Sequence, residues 1–374
     1  MSSTLSNREE SLDALRGIAA MAVVVAHTTI AGLYKVEPLW GYLKWTPLKI
    51  FWSGHQAVIL FFVLSGFALV RMWQSIKSNR YDAYFVSRVA RLFPPYMASV
   101  LLALAVYYLV SGIVEWDKGW MSVPKPEFSF QSLVDHALMI GQFNTSEINP
   151  PIWSIVHEMR ISIAFPLIYL LVSRFGGAAV ACFYAMSAWI GWAFLGNVQL
   201  SALQGPAMQT MHYSTFFAVG AFIALRQELF CSVFKKIAGL PRAALWFVAL
   251  MLYAYPFDNP WNPGYRTFGD LATGVGSALI VCLALTMSSN VLVRCGGYLG
   301  KISYSLYLNH ALVLNLSLLF LYRSFGAPVV WVATIVGAVL LSSVMHRVVE
   351  VPAISASRFL RKKILFRQPV TALK

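Results

Sequence analysis

Long apolar runs, separated by short polar or basic segments, dominate the chain. A helix needs about 20 mostly apolar residues to cross a bilayer. His27 interrupts the first run, and a long run with a polar group inside it favours a retained helix over a signal peptide. The pattern predicts an all-α, polytopic membrane helix bundle with about ten transmembrane helices. The predicted spans are 12–33, 54–73, 92–112, 151–172, 176–195, 211–225, 242–256, 269–288, 300–321 and 328–346.

The composition agrees with a membrane protein. Of the 374 residues, 58% are hydrophobic and 12% are charged, and the mean hydropathy is +0.65. Soluble domains have about 45–50% apolar and about 25% charged residues, which excludes soluble enzymes and disordered proteins. The four cysteines form no C-x-x-C pair, so the sequence predicts neither a disulfide framework nor a metal site.

The basic residues are distributed unevenly along the chain. The net charge of +14 would suit a nucleic acid, but most bases flank the apolar spans, and we expect no nucleic-acid partner. With the predicted spans, 21 of the 29 Lys and Arg residues fall on the side of the N-terminus and seven on the other. This bias predicts cytoplasmic N- and C-termini. Residues 1–346 then form a single transmembrane domain, and residues 347–374 form a basic cytoplasmic tail on anionic lipid.

Two polar residues lie on one face of the first span. Arg16 and His27 are 11 residues apart, so they point the same way within about 20° and are separated by about 16 Å along the helix. An extended phosphopantetheine arm spans roughly this distance from its phosphate to its sulfur. An ionisable group at bilayer depth is a candidate functional site, although His27 would also suit an interhelical hydrogen bond.

A basic pair precedes the third span. Arg88 and Arg91 are three residues apart and therefore share one face of a helix. Such a pair can hold a phosphate through charge-assisted, bidentate hydrogen bonds. Ordinary positive-inside flanking also accounts for either arginine, and both interpretations stay open on this evidence.

The fourth and ninth spans place polar groups at a similar depth. Ser154 and Glu158 lie one turn apart, with Glu158 about 10 Å from the outer face, and His310 lies about 13 Å from the cytoplasmic end of its span. A carboxylate at this depth can orient an imidazole and stabilise its protonated form. The alternatives are a structural ion pair of Glu158 with Arg160 or a histidine, and an interhelical hydrogen bond for His310.

Five segments, taken in order, resemble the motifs of the acyltransferase-3 family of integral membrane acyltransferases. They are Ser11–His27, with R-x10-H spacing, Phe61–Phe67, Arg88–Arg91 (R-x-x-R), Trp153–Glu158 (W-[ST]-x-x-x-E) and Gly300–His310 (G-x-I-S-Y-x-x-Y-L-x-H). Each segment is weak alone, but the ordered set, which spans residues 11–310, is specific.

The resemblance implies transfer of an acyl group, usually acetyl, from cytoplasmic acyl-CoA to a hydroxyl of a carbohydrate. In many bacterial relatives the acceptor is a surface glycan, such as lipopolysaccharide O-antigen or exopolysaccharide. The implied partners are acyl-CoA, a carbohydrate acceptor and membrane lipid. Acetyl-CoA is the expected donor, and the acceptor includes lipid-linked carbohydrate. The implied location is the bacterial cytoplasmic (inner) membrane.

Spacing and resemblance together assign the expected roles of the residues. His27 is the expected general base on the acceptor hydroxyl, or is itself acylated, and Glu158 is the catalytic partner that orients it. Arg16, Arg88 and Arg91 are expected to hold the CoA phosphates. The expected supporting residues are Ser65, Trp153, Ser154, Arg160 and His310.

Two other functions compete with this interpretation. An acyltransferase with a cytoplasmic small-molecule acceptor, such as a macrolide, uses the same residues. A proton-coupled transporter or flippase would use His27, Glu158 and His310 as a proton relay. Transport, however, does not explain the R-x10-H face or the paired arginines, and the chain shows no internal repeat.

Overall fold

The structure, a computed structural model, describes residues 2–33, 46–76, 80–113, 129–139, 148–195, 198–255, 263–287 and 290–366. Among these residues there is no strand. The α-helices are α1 (Ser2–Leu33), α2 (Gly54–Gln74), α3 (Tyr81–Val110), α4 (Phe130–Leu138), α5 (Trp153–Phe175), α6 (Gly177–Ile190), α7 (Val198–Leu225), α8 (Gln227–Lys236), α9 (Gly239–Ala254), α10 (Pro263–Ala284), α11 (Asn290–Met345) and α12 (Val351–Phe366). Short 3₁₀ or π-helical turns add Pro47–Trp52, Pro150–Ile152, Gly191–Leu195 and His346–Glu350.

Several helices have the length and the composition of membrane spans. In the described part of the chain six segments qualify, or seven if α8 and the second part of α7, which meet at a bend of 78°, form one span. Shorter apolar helices lie at Gly177–Ala193 and Gly239–Ala254. The structure confirms the all-α, polytopic membrane bundle. The number of ten spans and the side on which the termini lie stay predictions.

The longest helical element contains a break that separates the last two predicted spans. α11 is interrupted at Gly326, which has φ 73° and ψ −176°. Glycine reaches a positive φ at little steric cost because it has no Cβ, and Pro328 follows two residues later. The break lies between the predicted spans 300–321 and 328–346, so the boundary that the sequence predicts agrees with the structure.

Glycines let α1 and α11 approach until their backbones touch. A Cβ on Gly300 would collide with the carbonyl oxygen of Asp13, and a Cβ on Gly296 would lie 2.5 Å from the carbonyl oxygen of Ala14. Conversely, a Cβ on Gly17 of α1 would collide with the backbone of Gly296 and Gly300 on α11. Small residues one turn apart allow such close packing in membranes, where the hydrophobic effect between helices is weak.

This contact fixes the register of the two helices. Gly17 and His27 are ten residues apart, and so are Gly300 and His310. The helices run in the same direction, since Gly17 faces Gly300 and His27 is hydrogen-bonded to His310. Ten residues correspond to about 15 Å of helix. The glycine contact at one level therefore brings the two imidazoles together at another.

The segment that follows α11 is a helix packed against α3. Ser357 Oγ donates a hydrogen bond to the carbonyl oxygen of Ser87 at 2.7 Å. Of the predicted basic tail, residues 347–366 are helical and contact the bundle, and residues 367–374 lie outside the described residues. The division between a domain at 1–346 and a tail stays a prediction.

Replacing Gly300 by Ala is expected to destabilise the bundle, because the new methyl group would push the two backbones apart at Asp13. Overpacking of this kind costs about 1–3 kcal/mol. The measurement is the thermal unfolding midpoint of the purified protein in detergent. Gly205→Ala is the matched control, since a Cβ there meets no atom within 4 Å. Equal midpoints for the two variants would contradict the close contact.

Candidate active site

A cavity of about 420 Å³ lies between α1, α2, α3, α5, α11 and α12. Its lining contains three carboxylates, those of Asp13, Glu158 and Glu350. The lining also contains five lysine and arginine side chains. This excess of positive charge over the three carboxylates predisposes the cavity to bind an anion. We call this part of the molecule the basic end, defined by the lining residues Arg16, Arg88, Arg91, Lys301 and Arg358.

Two of these cations are already bonded to carboxylates. Arg16 donates to Asp13 at 2.6 Å. Arg88 donates to Glu158 at 2.8 Å and to Ser162 Oγ at 3.0 Å. Only 7% of Arg88 is exposed, and a buried guanidinium needs such partners because the loss of its hydration costs several kcal/mol.

The other three cations have no such partner. Arg91, Lys301 and Arg358 line the cavity but form no hydrogen bond or ion pair with any residue in the described ranges. Arg91 lies one turn after Arg88 on α3 and faces the same cavity. These cations remain available for charge-assisted hydrogen bonds to a polyanionic ligand.

Glu158 connects three helices at the cavity. It accepts from Arg88 on α3, and from Ser65 on α2 at 3.2 Å. The sequence led us to expect Glu158 beside His27, but the structure pairs Glu158 with Arg88, and His27 with His310. That expectation came from depth along the helix axes, which does not specify the neighbour that a side chain faces.

His27 and His310 form a stacked pair. Nδ1 of His27 lies 2.8 Å from Nε2 of His310. The ring centroids are 5.0 Å apart, and the planes are inclined by 16°. His310 is buried, whereas His27 is partly exposed. The pair therefore presents one imidazole to its surroundings and keeps the other inside the bundle.

The backbone assigns the tautomers of both rings. Nδ1 of His310 lies 2.8 Å from the carbonyl oxygen of Tyr307 and 3.2 Å from that of Leu306. Because a carbonyl only accepts, Nδ1 of His310 carries a proton, and in the neutral ring Nε2 is an acceptor. His27 then donates from Nδ1, and its Nε2 keeps a lone pair. Among the described residues none hydrogen-bonds this nitrogen, so it can bind a substrate.

Tyr307 links the cavity to the histidine pair. Its ring lines the cavity, and its centroid lies 6.0 Å from that of His310. Its hydroxyl is hydrogen-bonded to Ser154 Oγ at 2.7 Å, and Phe61 packs edge-on against the ring at 5.9 Å. A ligand that fills the cavity therefore ends one side chain away from His310.

The remaining site residues of the sequence prediction are divided between the cavity and other places. Trp153 stacks on His55, with ring centroids 6.2 Å apart. Arg160 donates from Nε to the carbonyl oxygen of Met139 at 3.1 Å. Met139 follows α4 in a left-handed conformation with φ 55°, so Arg160 holds the end of that helix. The cavity lining includes Arg16, Ser65, Arg88, Arg91, Ser154 and Glu158.

A second polar cluster, which the sequence interpretation missed, lies at the end of α2 that is remote from the basic end. Asp270 accepts from His55 at 2.6 Å and from His212 at 3.1 Å. Arg266 donates to Nδ1 of His55 at 2.8 Å, so Nε2 of that ring carries the proton given to Asp270. Ser187 is hydrogen-bonded to Nδ1 of His212. In the described chain no group of three or more His, Cys, Asp and Glu side chains is arranged to hold a metal ion.

The sequence does contain a signal for this cluster. Ionisable residues in apolar spans are costly and indicate a common partner. A position at the end of a span, however, equally suits a residue in contact with water, and the sequence alone does not separate the two. Each residue is the second position of a predicted span: His55 of 54–73, His212 of 211–225 and Asp270 of 269–288.

The chain matches the model of a known protein family. The model Acyl_transf_3, described as an acyltransferase domain, covers residues 9–347, nearly the whole chain. No curated protein and no solved structure matches. The matched region contains all five segments on which the resemblance rests, from Ser11 to His310.

Replacing Asp270 by Asn is expected to lower the thermal unfolding midpoint. The amide has one accepting oxygen and one donating nitrogen, so the N–H of either His55 or His212 would face another donor. An unsatisfied buried donor costs about 1–3 kcal/mol. Asp82→Asn is the control, because Asp82 is exposed and pairs with Arg80 at the protein surface. A midpoint unchanged by Asp270→Asn would contradict this arrangement.

Proposed function

The chain belongs to the acyltransferase family whose model matches residues 9–347, and we propose that it is an acyl-CoA-dependent membrane O-acyltransferase. In this proposal the donor is acetyl-CoA, and the acceptor is a hydroxyl of a cell-surface carbohydrate such as lipopolysaccharide O-antigen or exopolysaccharide. The protein lies in the bacterial inner membrane with its basic end and both termini in the cytoplasm. The observation that carries the proposal is the succession of a cation-lined cavity, Tyr307 and the His27–His310 pair.

The cavity suits this donor in charge and in length. CoA has phosphates at one end and the thioester at the other, joined by the pantetheine arm. Arg16 and Arg91 line the cavity, and Arg16 precedes His27 by about 16 Å on the same helix. We infer that the phosphates bind at the basic end and that the arm extends past Tyr307 toward His27. Arg88 adds positive charge to the cavity, and its bond to Glu158 keeps that carboxylate in the cavity wall.

The tautomer of His27 suits the role of general base. In direct transfer, Nε2 takes the proton of the acceptor hydroxyl while that oxygen attacks the thioester carbon. The carbon–sulfur bond then breaks, and the leaving thiolate takes the proton from His27, which gives the O-acyl product and CoA. Throughout these steps the Nδ1–H of His27 keeps its acceptor on His310, so the ring stays oriented.

A relay through His27 is the alternative sequence of steps. Nε2 attacks the thioester carbon, the carbon–sulfur bond breaks, and CoA leaves as its thiolate. The acceptor oxygen then takes the acyl group from the ring, the carbon–nitrogen bond breaks, and the hydroxyl proton passes to the CoA thiolate, so that His27 is neutral again. The two sequences differ in whether His27 carries an acyl group when no acceptor is present. Mass spectrometry of the peptide that contains His27, after exposure to isotope-labelled acetyl-CoA alone, separates them.

The acceptor is tested in cells. We expect surface polysaccharide from cells that carry this protein to bear O-acetyl groups that are missing when the protein is removed. Mass spectrometry of the purified polysaccharide measures this difference. An unchanged polysaccharide, combined with acetyl-CoA turnover by the purified protein, would favour a small-molecule acceptor in place of a glycan.

His27 and His310 give the sharpest test of the mechanism. We expect His27→Ala to abolish acyl transfer, because Ala cannot accept the proton of the acceptor hydroxyl. His310→Leu should lower kcat by about 10²-fold or more, since His27 loses the group that orients it. His310→Gln should retain more activity than His310→Leu, because its side-chain oxygen can accept from Nδ1 of His27. The measurements are kcat and the KM for acetyl-CoA on purified protein.

The comparison of the two His310 variants separates orientation from folding. A purely structural role would lower the unfolding midpoint and the activity of both variants alike and would leave no advantage to Gln. The KM for acetyl-CoA should stay near the wild-type value in both. Wild-type turnover in the His27→Ala protein would overturn the mechanism.

Arg91 tests the donor end of the site. Arg91→Lys keeps the positive charge that topology requires but replaces a planar fork by a single ammonium group. We expect the KM for acetyl-CoA to rise about tenfold, as for the loss of one charge-assisted hydrogen bond, with kcat largely restored at saturating donor. Arg80→Lys, which changes a surface arginine paired with Asp82, is the control. A wild-type KM in Arg91→Lys would mean that Arg91 serves topology alone.

A further inference from the structure

The C-terminal helix α12 contributes a wall of the cavity, and we propose that Arg358 on this helix binds the 3′-phosphate of CoA. The proposal rests on the proposed use of acyl-CoA as the donor. It concerns a segment outside the family match, which ends at residue 347. The specificity of this chain for its donor would then depend partly on residues that the family pattern does not contain.

One face of the C-terminal segment lines the cavity. Glu350, Ile354 and Arg358 are spaced four residues apart, so they lie on one helical face, and all three belong to the cavity lining. The π-helical turn His346–Glu350 stands immediately before α12. Turns of this kind change the register of a helix and are frequent at functional sites. The π-helical turn therefore sets which face of α12 lines the cavity.

The carboxylate on this face is held by partners other than the arginine. Glu350 accepts from Ser305 Oγ at 2.6 Å and from Nδ1 of His346 at 3.0 Å. Arg358 forms no hydrogen bond or ion pair with a residue that the structure describes. It is exposed, so its guanidinium is available to a ligand that enters the cavity.

Contacts along α3 give the level of Arg358 in the bundle. Its neighbour Ser357 is bonded to the carbonyl oxygen of Ser87. At the other end of the same stretch, Ser99 Oγ donates to the carbonyl oxygen of Leu308 at 3.0 Å. Ser87 and Ser99 are separated by about 18 Å along the helix. Arg358 therefore lies about that far from the level of the histidine pair, which adjoins Leu308.

The position of Arg358 selects one phosphate of CoA. The 3′-phosphate is on the adenosine ribose, beyond the diphosphate and at the opposite end of the molecule from the thioester. Arg91 lies one turn beyond the level of Ser87, closer to the histidine pair, and is suited to the diphosphate. Arg358 is farther from the histidines, and an arginine binds a phosphate dianion through two parallel N–H donors. Because Arg358 is the more remote of the two arginines, we assign the 3′-phosphate to it and the diphosphate to Arg91.

The test compares CoA with 3′-dephospho-CoA as ligands of the purified, full-length protein in detergent, by isothermal titration calorimetry. We expect wild-type protein to bind CoA at least about tenfold more tightly, as one charge-assisted contact would give. Arg358→Gln should remove this preference and leave the affinity for 3′-dephospho-CoA unchanged. Arg361→Gln is the matched control on the same helix, since Arg361 is bonded to Ser75 Oγ at 3.2 Å and is absent from the cavity lining.

The outcomes separate the two levels of the proposal. Failure of the wild-type protein to bind either ligand would overturn the proposed use of acyl-CoA itself. Equal wild-type affinity for both ligands would overturn only the 3′-phosphate site. The same result follows if Arg358→Gln keeps the wild-type preference, or if Arg361→Gln loses it to the same extent. Equal unfolding midpoints of the variants would show that the comparison is made between folded proteins.

Discussion

The backbone contact between α1 and α11 is the constraint on which the rest of the site depends. Gly17, Gly296 and Gly300 leave no space for a Cβ, so the two helices have one register in which they can meet. Because they are parallel, that register also fixes His27 against His310. A slip of one residue would turn a ring by about 100° and break the pair. The orientation of the candidate base is thus a property of helix packing, which holds a site more precisely than a loop does.

The cations of the cavity form two groups: those that are bonded to carboxylates and those that form no such bond. Arg88 is buried and is bonded to Glu158, and this carboxylate offsets the cost of burying a guanidinium. Glu158 also accepts a hydrogen bond from Ser65, so it joins α2, α3 and α5. His27 receives its orientation from a neutral imidazole instead. Arg91 forms no hydrogen bond or close ion pair with a described residue. An incoming phosphate therefore need not displace an internal carboxylate from it.

The sequence predicted the helices and several residues that line one cavity better than it predicted which side chains meet. Apolar runs predicted the helical bundle and a boundary near Gly326, and the motifs predicted residues that now line one cavity, such as Arg91. Periodicity reports depth and face within one helix, but not the rotation of that helix against another. Glu158 was for that reason expected beside His27. The Asp270 cluster forms only where several helices converge, and the pattern within one helix does not show that convergence. A basic amphipathic helix such as α12 has the same composition whether it packs on lipid or on protein, so its composition does not predict a place in the cavity wall.

Tyr307 lies between the cation-lined cavity and the His27–His310 pair. On one side lies the cation-lined cavity, and toward the other end of α2 lie Trp153, His55 and the buried Asp270. A donor anchored by its phosphates at the basic end would fill the cavity and extend past Tyr307 toward His27. An acceptor hydroxyl would then have to reach Nε2 of His27 from elsewhere, because the cavity side is occupied. Under the proposed mechanism only the acyl group passes from donor to acceptor, so neither substrate has to pass as a whole through the bundle.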